Sequence, residues 1–288
     1  MTTSELLGKP RKVELPQGEL RYFEQGSGRP VVFVHGVLTN ADLWRAVLPD
    51  VAAAGFRAIA PDLPMGSHTV PMRADADLSP VGQAELLADF LDALDLRDVL
   101  LVGNDTGGAI TQILLSRRPE RVGSVVLLPS DSFEYFFPPI FAPLPKLARV
   151  PGSMLLLSMF MRVRALHRQP FLFGWVTKRP IPAEIAESYL WPPGKSAAIR
   201  RDLRKLLREV HPRHTLAAAE KLRDFDKPVL LLWASEDKLF PIRFARRLEA
   251  LLPKGKLVEV PDAYTFIPED RPEAVVRHVV EFAGVMAD

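Results

Sequence analysis

Residues 99–110, Val-Leu-Leu-Val-Gly-Asn-Asp-Thr-Gly-Gly-Ala-Ile, leave few architectures open to the chain that carries them. The apolar run Val99 to Val102 reads as a buried strand that stops at Gly103. Past Gly108, apolar residues recur at helical spacing (Ile110, Ile113, Leu114). Strand, sharp turn and helix, with Gly103 and Gly107 flanking Asp105, put one reactive side chain at the apex of an elbow. The glycines let the backbone turn tightly and the helix approach the strand without a Cβ clash. In an open α/β sheet such an apex stands at the carboxyl edge of the strands, where ligands bind. An aspartate there is ionised at neutral pH and is favoured by the N-terminus of the following helix. It can displace a leaving group from an alkyl carbon, or open an epoxide, to give a covalent alkyl ester. The Asn104-Asp105 pair also suits a plain helix N-cap.

The rest of the chain supplies the sheet that such an elbow needs. Leu20 to Glu24 alternates and ends in the turn Gly26-Ser27-Gly28, and Val31 to Val34 forms a buried strand running into His35-Gly36-Val37. Ala41 to Ala53 fits a helix, and Phe56 to Ala60 a strand ending at Pro61-Asp62. A helix over Val81 to Leu94 feeds the elbow strand, and a further strand, Ser124 to Leu128, ends at Pro129-Ser130-Asp131. This alternation predicts a mostly parallel sheet covered by helices on both faces. From Phe133 to about Leu216 prolines cluster and apolar and basic helical segments replace the strands. Strands resume at Val229 to Trp233, followed by Asp237, and at Lys256 to Val260, followed by Tyr264-Thr265-Phe266; a closing helix runs from about Pro272 to Val285.

Composition narrows the partners. A 288-residue chain with 48% hydrophobic residues suits one large α/β core with an insertion. Its formal net charge of +2 argues for neither nucleic acid nor an acidic membrane as partner. The basic helical face Arg200, Arg201, Arg204, Lys205 and Arg208 reads as a solvated surface. The absence of cysteine excludes disulfides, thiol catalysis and Cys-based zinc sites. Met1 to Lys12 has no apolar core, so no signal peptide is expected, and the apolar stretch Met154 to Met161 is too short to span a bilayer. A cytoplasmic location, a small apolar organic substrate, no cofactor and no metal are the expectations, and a homodimer is compatible with them.

Together the His-Gly loop, the aspartate elbow, the helical insertion and the two terminal turns resemble the α/β-hydrolase superfamily, in particular its aspartate-nucleophile branch of haloalkane dehalogenases and epoxide hydrolases. The resemblance covers nearly the whole chain. It implies an α/β-hydrolase core over 1–133 and 216–288 with a helical cap over 134–215. It makes Asp105 the nucleophile, the backbone N–H groups of Val37 and Thr106 an oxyanion hole, and His35 and Gly36 organisers of the loop. Asp237 stands where family members carry the acid that orients a catalytic histidine. Thr265 stands where that histidine belongs, and a hydroxyl cannot act as a base near neutral pH. His214, near the exit of the cap, is the best candidate for a substitute base.

Markers of a named activity are missing. Haloalkane dehalogenases usually place Trp after the nucleophile and Asn after His-Gly, where this chain has Thr106 and Val37. Epoxide hydrolases usually have proline after His-Gly-x and cap tyrosines; here Leu38 occupies the first position, and Tyr135 and Tyr189 are candidate donors. Fluoroacetate-type dehalogenases would have Arg at 106. The expectation is a hydrolase attacking a small apolar electrophile (haloalkane, epoxide or ester-like) through Asp105 without the usual histidine. The alternatives are a lyase or isomerase using Asp105 as acid or base, or a non-catalytic or trapped ligand-binding protein.

Overall fold

The computed structural model describes residues 4–285. Eight strands form one sheet: β1 Arg11–Leu15, β2 Gly18–Gln25, β3 Pro30–Val34, β4 Arg57–Pro61, β5 Val99–Asp105, β6 Val122–Ser130, β7 Val229–Ala234 and β8 Gly255–Val260. Their spatial order is β1-β2-β4-β3-β5-β6-β7-β8. Only β1 with β2, and β2 with β4, pair antiparallel; every other neighbour is parallel. The central strands are buried along both faces, as the continuous Val/Leu runs require.

Helices α1 Leu48–Ala53, α2 Pro80–Ala93 and α3 Thr106–Leu115 alternate with the first strands. Helix α2 starts where its chemistry dictates, with the Ser79 hydroxyl accepting from the Gly82 amide and Pro80 in the first turn. Between β6 and β7 the described elements are helical: α4 Leu144–Leu147, α5 Ser153–Met161, α6 Ala183–Leu190, α7 Pro192–Lys195, α8 Ala197–Glu209 and α9 Pro212–Leu222, with short 3-10 turns. Helices α10 Arg243–Leu251, α11 Ile267–Asp270 and α12 Pro272–Val285 complete the chain.

Several elements differ from the sequence reading, among them α10, which it did not place. The single helix expected over 41–53 is split into a 3-10 turn, Ala41–Trp44, and α1. Pro49 causes the break: it has no N–H for a continuous ladder and so is accommodated in the first turn of α1. Strand β1 was not anticipated, because it is an exposed edge strand, Arg-Lys-Val-Glu-Leu, with little apolar alternation.

The helical segment is bonded to the core at several points. The Asp270 carboxylate accepts from the backbone amides of Lys178 (3.0 Å), Arg179 (2.9 Å) and Tyr264 (2.9 Å). Arg45 and Glu269 form a bidentate pair at 2.6 Å, and the Tyr189 hydroxyl donates to Glu269 at 2.9 Å. Asp202 on α8 accepts from the Met72 amide at 2.9 Å and pairs with His68 at 3.3 Å. These contacts fasten the inserted helices to the core.

Candidate active site

Strand β5 runs directly into α3, and Asp105 is the turning residue, at φ 56° and ψ −132°. Left-handed backbone of this kind at a non-glycine residue costs about 1–3 kcal/mol and survives only where its surroundings enforce it. The enforcement is visible at two glycines. A Cβ on Gly36 would lie 2.0 Å from Asp105 Oδ2, and one on Gly107 would lie 2.3 Å from the carbonyl oxygen of His35. The loop after β3 therefore presses against the carboxyl group, and the start of α3 packs against the end of β3 at Val34 and His35.

Protein surrounds the Asp105 carboxyl, although part of its surface remains open to the cavity described below. Burial pushes its pKa up to about 7 and the nearby Asp237 adds to that rise, while the backbone amides of Thr106 and Val37 oppose it. Val37 lines the cavity beside Asp105, and Thr106 follows Asp105 at the start of α3. His35 is fully buried, with Nδ1 2.8 Å from the Gly36 carbonyl and Nε2 accepting from the Leu63 amide at 2.9 Å. Those partners assign the proton to Nδ1 and leave no ring nitrogen for acid–base work. Burial drives the imidazole pKa down to about 4, so it is neutral. His35 and Gly36 lie in the loop that leads from β3 to Val37.

Asp237 follows β7 and Thr265 follows β8. The Thr265 hydroxyl donates to Asp237 Oδ2 at 2.9 Å, and Asp237 Oδ1 accepts from the amides of Leu239 (2.7 Å) and Phe240 (2.6 Å). Burial nevertheless lifts the Asp237 pKa to about 7 against those bonds. Asn104 anchors the neighbourhood by donating to the carbonyls of Pro129 (3.0 Å) and Thr265 (2.9 Å).

The sequence reading did not single out Asp131. It lies just past β6, whose Ser130 pairs with Asp105 in the sheet. Its carboxyl is fully buried and accepts from the Thr106 hydroxyl at 3.2 Å, while its Oδ1 has no partner. Burial, and then the charge of Asp105, push its pKa well above the ordinary carboxylate range. The available signal was its place at a strand end on the carboxyl edge beside the elbow strand.

A cavity of about 80 Å³ opens over Asp105. Its walls are apolar, built from Val37, Leu38, Phe137, Phe141, Phe171 and Phe266 among others, and Thr39 and Asp105 are the only polar side chains lining it. Among the described residues Asp105 is its sole ionisable group.

Several expected contributors are elsewhere. His214 is not brought to the cavity, because α9 turns its ring toward the Glu209 carbonyl, 3.1 Å away. His68 is bonded to Asp202, His167 to the Met161 carbonyl, His211 caps α9, and His278 faces Glu281. Among the described residues no histidine lines the cavity. Neither candidate tyrosine does: Tyr189 is bonded to Glu269, and Tyr135 stacks beside Phe244 and Arg243. Among the described residues no group of His, Asp or Glu is placed to hold a metal ion.

The model of the alpha/beta hydrolase family matches residues 31–278, which span both the elbow and the Asp237–Thr265 pair. The chain belongs to the alpha/beta hydrolase family. Within that family it is 29% identical over 279 residues to haloalkane dehalogenase 2 of Mycobacterium tuberculosis, covering 93% of this chain and 92% of the relative. It is 26% identical over 274 residues to the cis-3-alkyl-4-alkyloxetan-2-one decarboxylase of Shewanella oneidensis, covering 92% and 85%. Its alpha/beta hydrolase fold also matches the crystal structure of haloalkane dehalogenase DbeA from Bradyrhizobium elkani, with a TM-score of 0.79 at 24% identity over 97% of this chain and 98% of that one.

Proposed function

We propose that this alpha/beta hydrolase attacks a small apolar electrophile through Asp105 and that the resulting alkyl ester persists. The observation that carries the reading is Asp105 itself: the one ionisable group in an apolar cavity, on a strained turn, with two backbone amides beside it. Residues 134–215 serve as the cap over that cavity. One carboxylate oxygen attacks the alkyl carbon, the bond to the leaving group breaks, and the leaving group departs with the electron pair. Val37 and Thr106 orient the carboxylate for that attack. Hydrolysis of the ester then needs a base to deprotonate water, and Thr265 occupies the position of the family's histidine. Its hydroxyl is bonded to Asp237 and carries no basic nitrogen.

Intact-mass measurement tests this. Incubation with a reactive alkyl halide or epoxide gives one stable adduct on the folded protein, and Asp105→Ala gives none. The absence of an adduct and of turnover with both reagent classes would sink the reading.

One observation favours a second reading, in which Asp105 supports lyase chemistry. No water-activating group reaches the cavity, and fragmentation of an oxetan-2-one requires none. Asp105 would attack the ring carbon bearing the ring oxygen, whose bond breaks to release a carboxylate. The bond to that carboxylate then breaks, its electron pair forms the alkene, carbon dioxide leaves and Asp105 recovers its oxygen pair. Equimolar alkene and carbon dioxide from a cis-3,4-dialkyl oxetan-2-one, abolished in Asp105→Ala, would assign this reaction; a hydroxy acid product would exclude it.

A further inference from the structure

We propose that the inserted helical segment docks on an anionic lipid surface, with the apolar face of α5 immersed and a rim of cations against the headgroups. The charge distribution is the first ground. Residues 135–183 contain seven basic residues (Lys146, Arg149, Arg162, Arg164, Arg168, Lys178 and Arg179) and no Asp or Glu, in a chain whose total is +2. The remainder of the protein is therefore net negative. Arg164, Lys178 and Arg179 have carboxylate partners in Glu187, Glu236 and Asp262. The other four form no carboxylate pair within 4 Å among the described residues: Arg149 donates to the Arg208 carbonyl, Arg168 to the Arg179 carbonyl, and Arg162 lies over the Trp191 ring. Lys146, Arg149, Arg162 and Arg168 are all exposed.

The apolar face is the second ground. Leu155, Leu156, Met159, Phe160 and Val163 are all exposed, Leu156 at 68%; spacing puts the first four on one side of α5, and Val163 follows just past its end. Leu147 and Val150 extend the face, sharing a shallow groove with Leu156 and Phe160. Contiguous apolar surface of this kind, rimmed by charge of one sign, marks an interaction site. At nine residues α5 is too short to cross a bilayer, and among the described residues no helix is long and apolar enough to do so. It has the features of a helix that lies in the interface, with cations at headgroup depth.

Continuity with the cavity is the third ground. Phe160 packs on Phe171, with ring centroids 5.6 Å apart, and Phe171 lines the cavity over Asp105 while remaining 39% exposed. A molecule dissolved in the acyl region can thus pass along this face to the cavity wall. The uniform positive sign selects an acidic lipid surface over a second copy of this chain, whose matching face would carry the same charge.

Sedimentation with lipid vesicles tests the proposal, using pure phosphatidylcholine and a mixture containing phosphatidylserine. The protein partitions to the anionic vesicles, stays in solution with the neutral ones, and is released by high salt. Each cation near the surface is worth about a fivefold change in partitioning, so Lys146→Gln with Arg149→Gln lowers it about 25-fold. Leu156→Glu removes the most exposed anchor and abolishes binding, with melting temperature as the check on folding. Asp105→Ala binds vesicles as the unaltered protein does, which separates failure of this surface from failure of the catalytic reading. Equal affinity for both vesicle types, or none for either, overturns the proposal. So does a concentration-dependent dimer that Leu156→Glu dissolves in the absence of vesicle binding.

Discussion

At Thr265 a hydroxyl lies 2.9 Å from an otherwise well-fastened carboxylate, Asp237. Replacing it with histidine places an imidazole beside a group able to orient it. If the ester on Asp105 persists for want of a base, Thr265→His speeds its hydrolysis by a factor of about a hundred to ten thousand, the usual worth of a positioned general base. Adding Asp237→Ala to that variant removes most of the gain. Both changes are read as decay of the adduct mass with time. The nucleophile has its own signature in pH. Only ionised Asp105 attacks, and its pKa stands near 7, so adduct formation rises with pH and levels off above about 8. A rate independent of pH from 5 to 9 would contradict the buried, charge-crowded setting. Gly36→Ala puts a methyl where Oδ2 now is and abolishes adduct formation even where the variant folds.

The elbow was the most legible element, because its glycines, strand and helix lie in one contiguous stretch and each obeys a local rule. Asp237 and Thr265 were singled out only through the family resemblance, since a lone Asp or Thr in a loop after a strand carries no local signal of its own. Legibility failed where orientation across elements mattered. Nothing local says that α9 turns His214 toward Glu209, that Tyr189 is bonded to Glu269, or that Asp131 stands behind Thr106. Nor could the sequence foretell Asp270, whose carboxylate joins 178–179 of the insertion to the loop carrying Thr265. Asp270→Ala leaves three backbone amides without their acceptor. At about 1–3 kcal/mol for each buried donor left unsatisfied, partly relieved by water, the loss is about 3 kcal/mol, measurable by urea unfolding. The adduct rate falls with it, since the loop at 264–266 and the cavity wall at Phe266 lose their tether.

Across the whole molecule, the crowded carboxyls set how stability responds to pH. Asp105 and Asp237 hold protons in the folded state up to about pH 7, whereas the unfolded chain releases them near 4. The folded state binds more protons between those limits, so this contribution makes stability fall as pH rises from about 4 to 7 and leaves it flat above. The full effect of one such group is of order 4 kcal/mol. Asp105→Asn removes it, so the variant gains stability over the parent at pH 8 and little at pH 4, as denaturant midpoints will register. A parent midpoint that climbs through that window, with the variant tracking it, would rule this out. Composition hid the other whole-molecule property: a total charge of +2 reads as near neutrality, yet it sums a strongly positive insertion and a negative core.

That separation of charge makes the molecule an electric dipole with its positive pole at the insertion. In the field of a negatively charged surface a dipole feels a torque before it makes contact, and it turns its positive pole forward. Arrival is therefore already aligned: the face bearing α5 and Phe171 leads, and few encounters are spent on rotational search. The alignment fades once ions shrink the field to less than the molecule's own width, so association slows with added salt more steeply than the strength of the final contact falls.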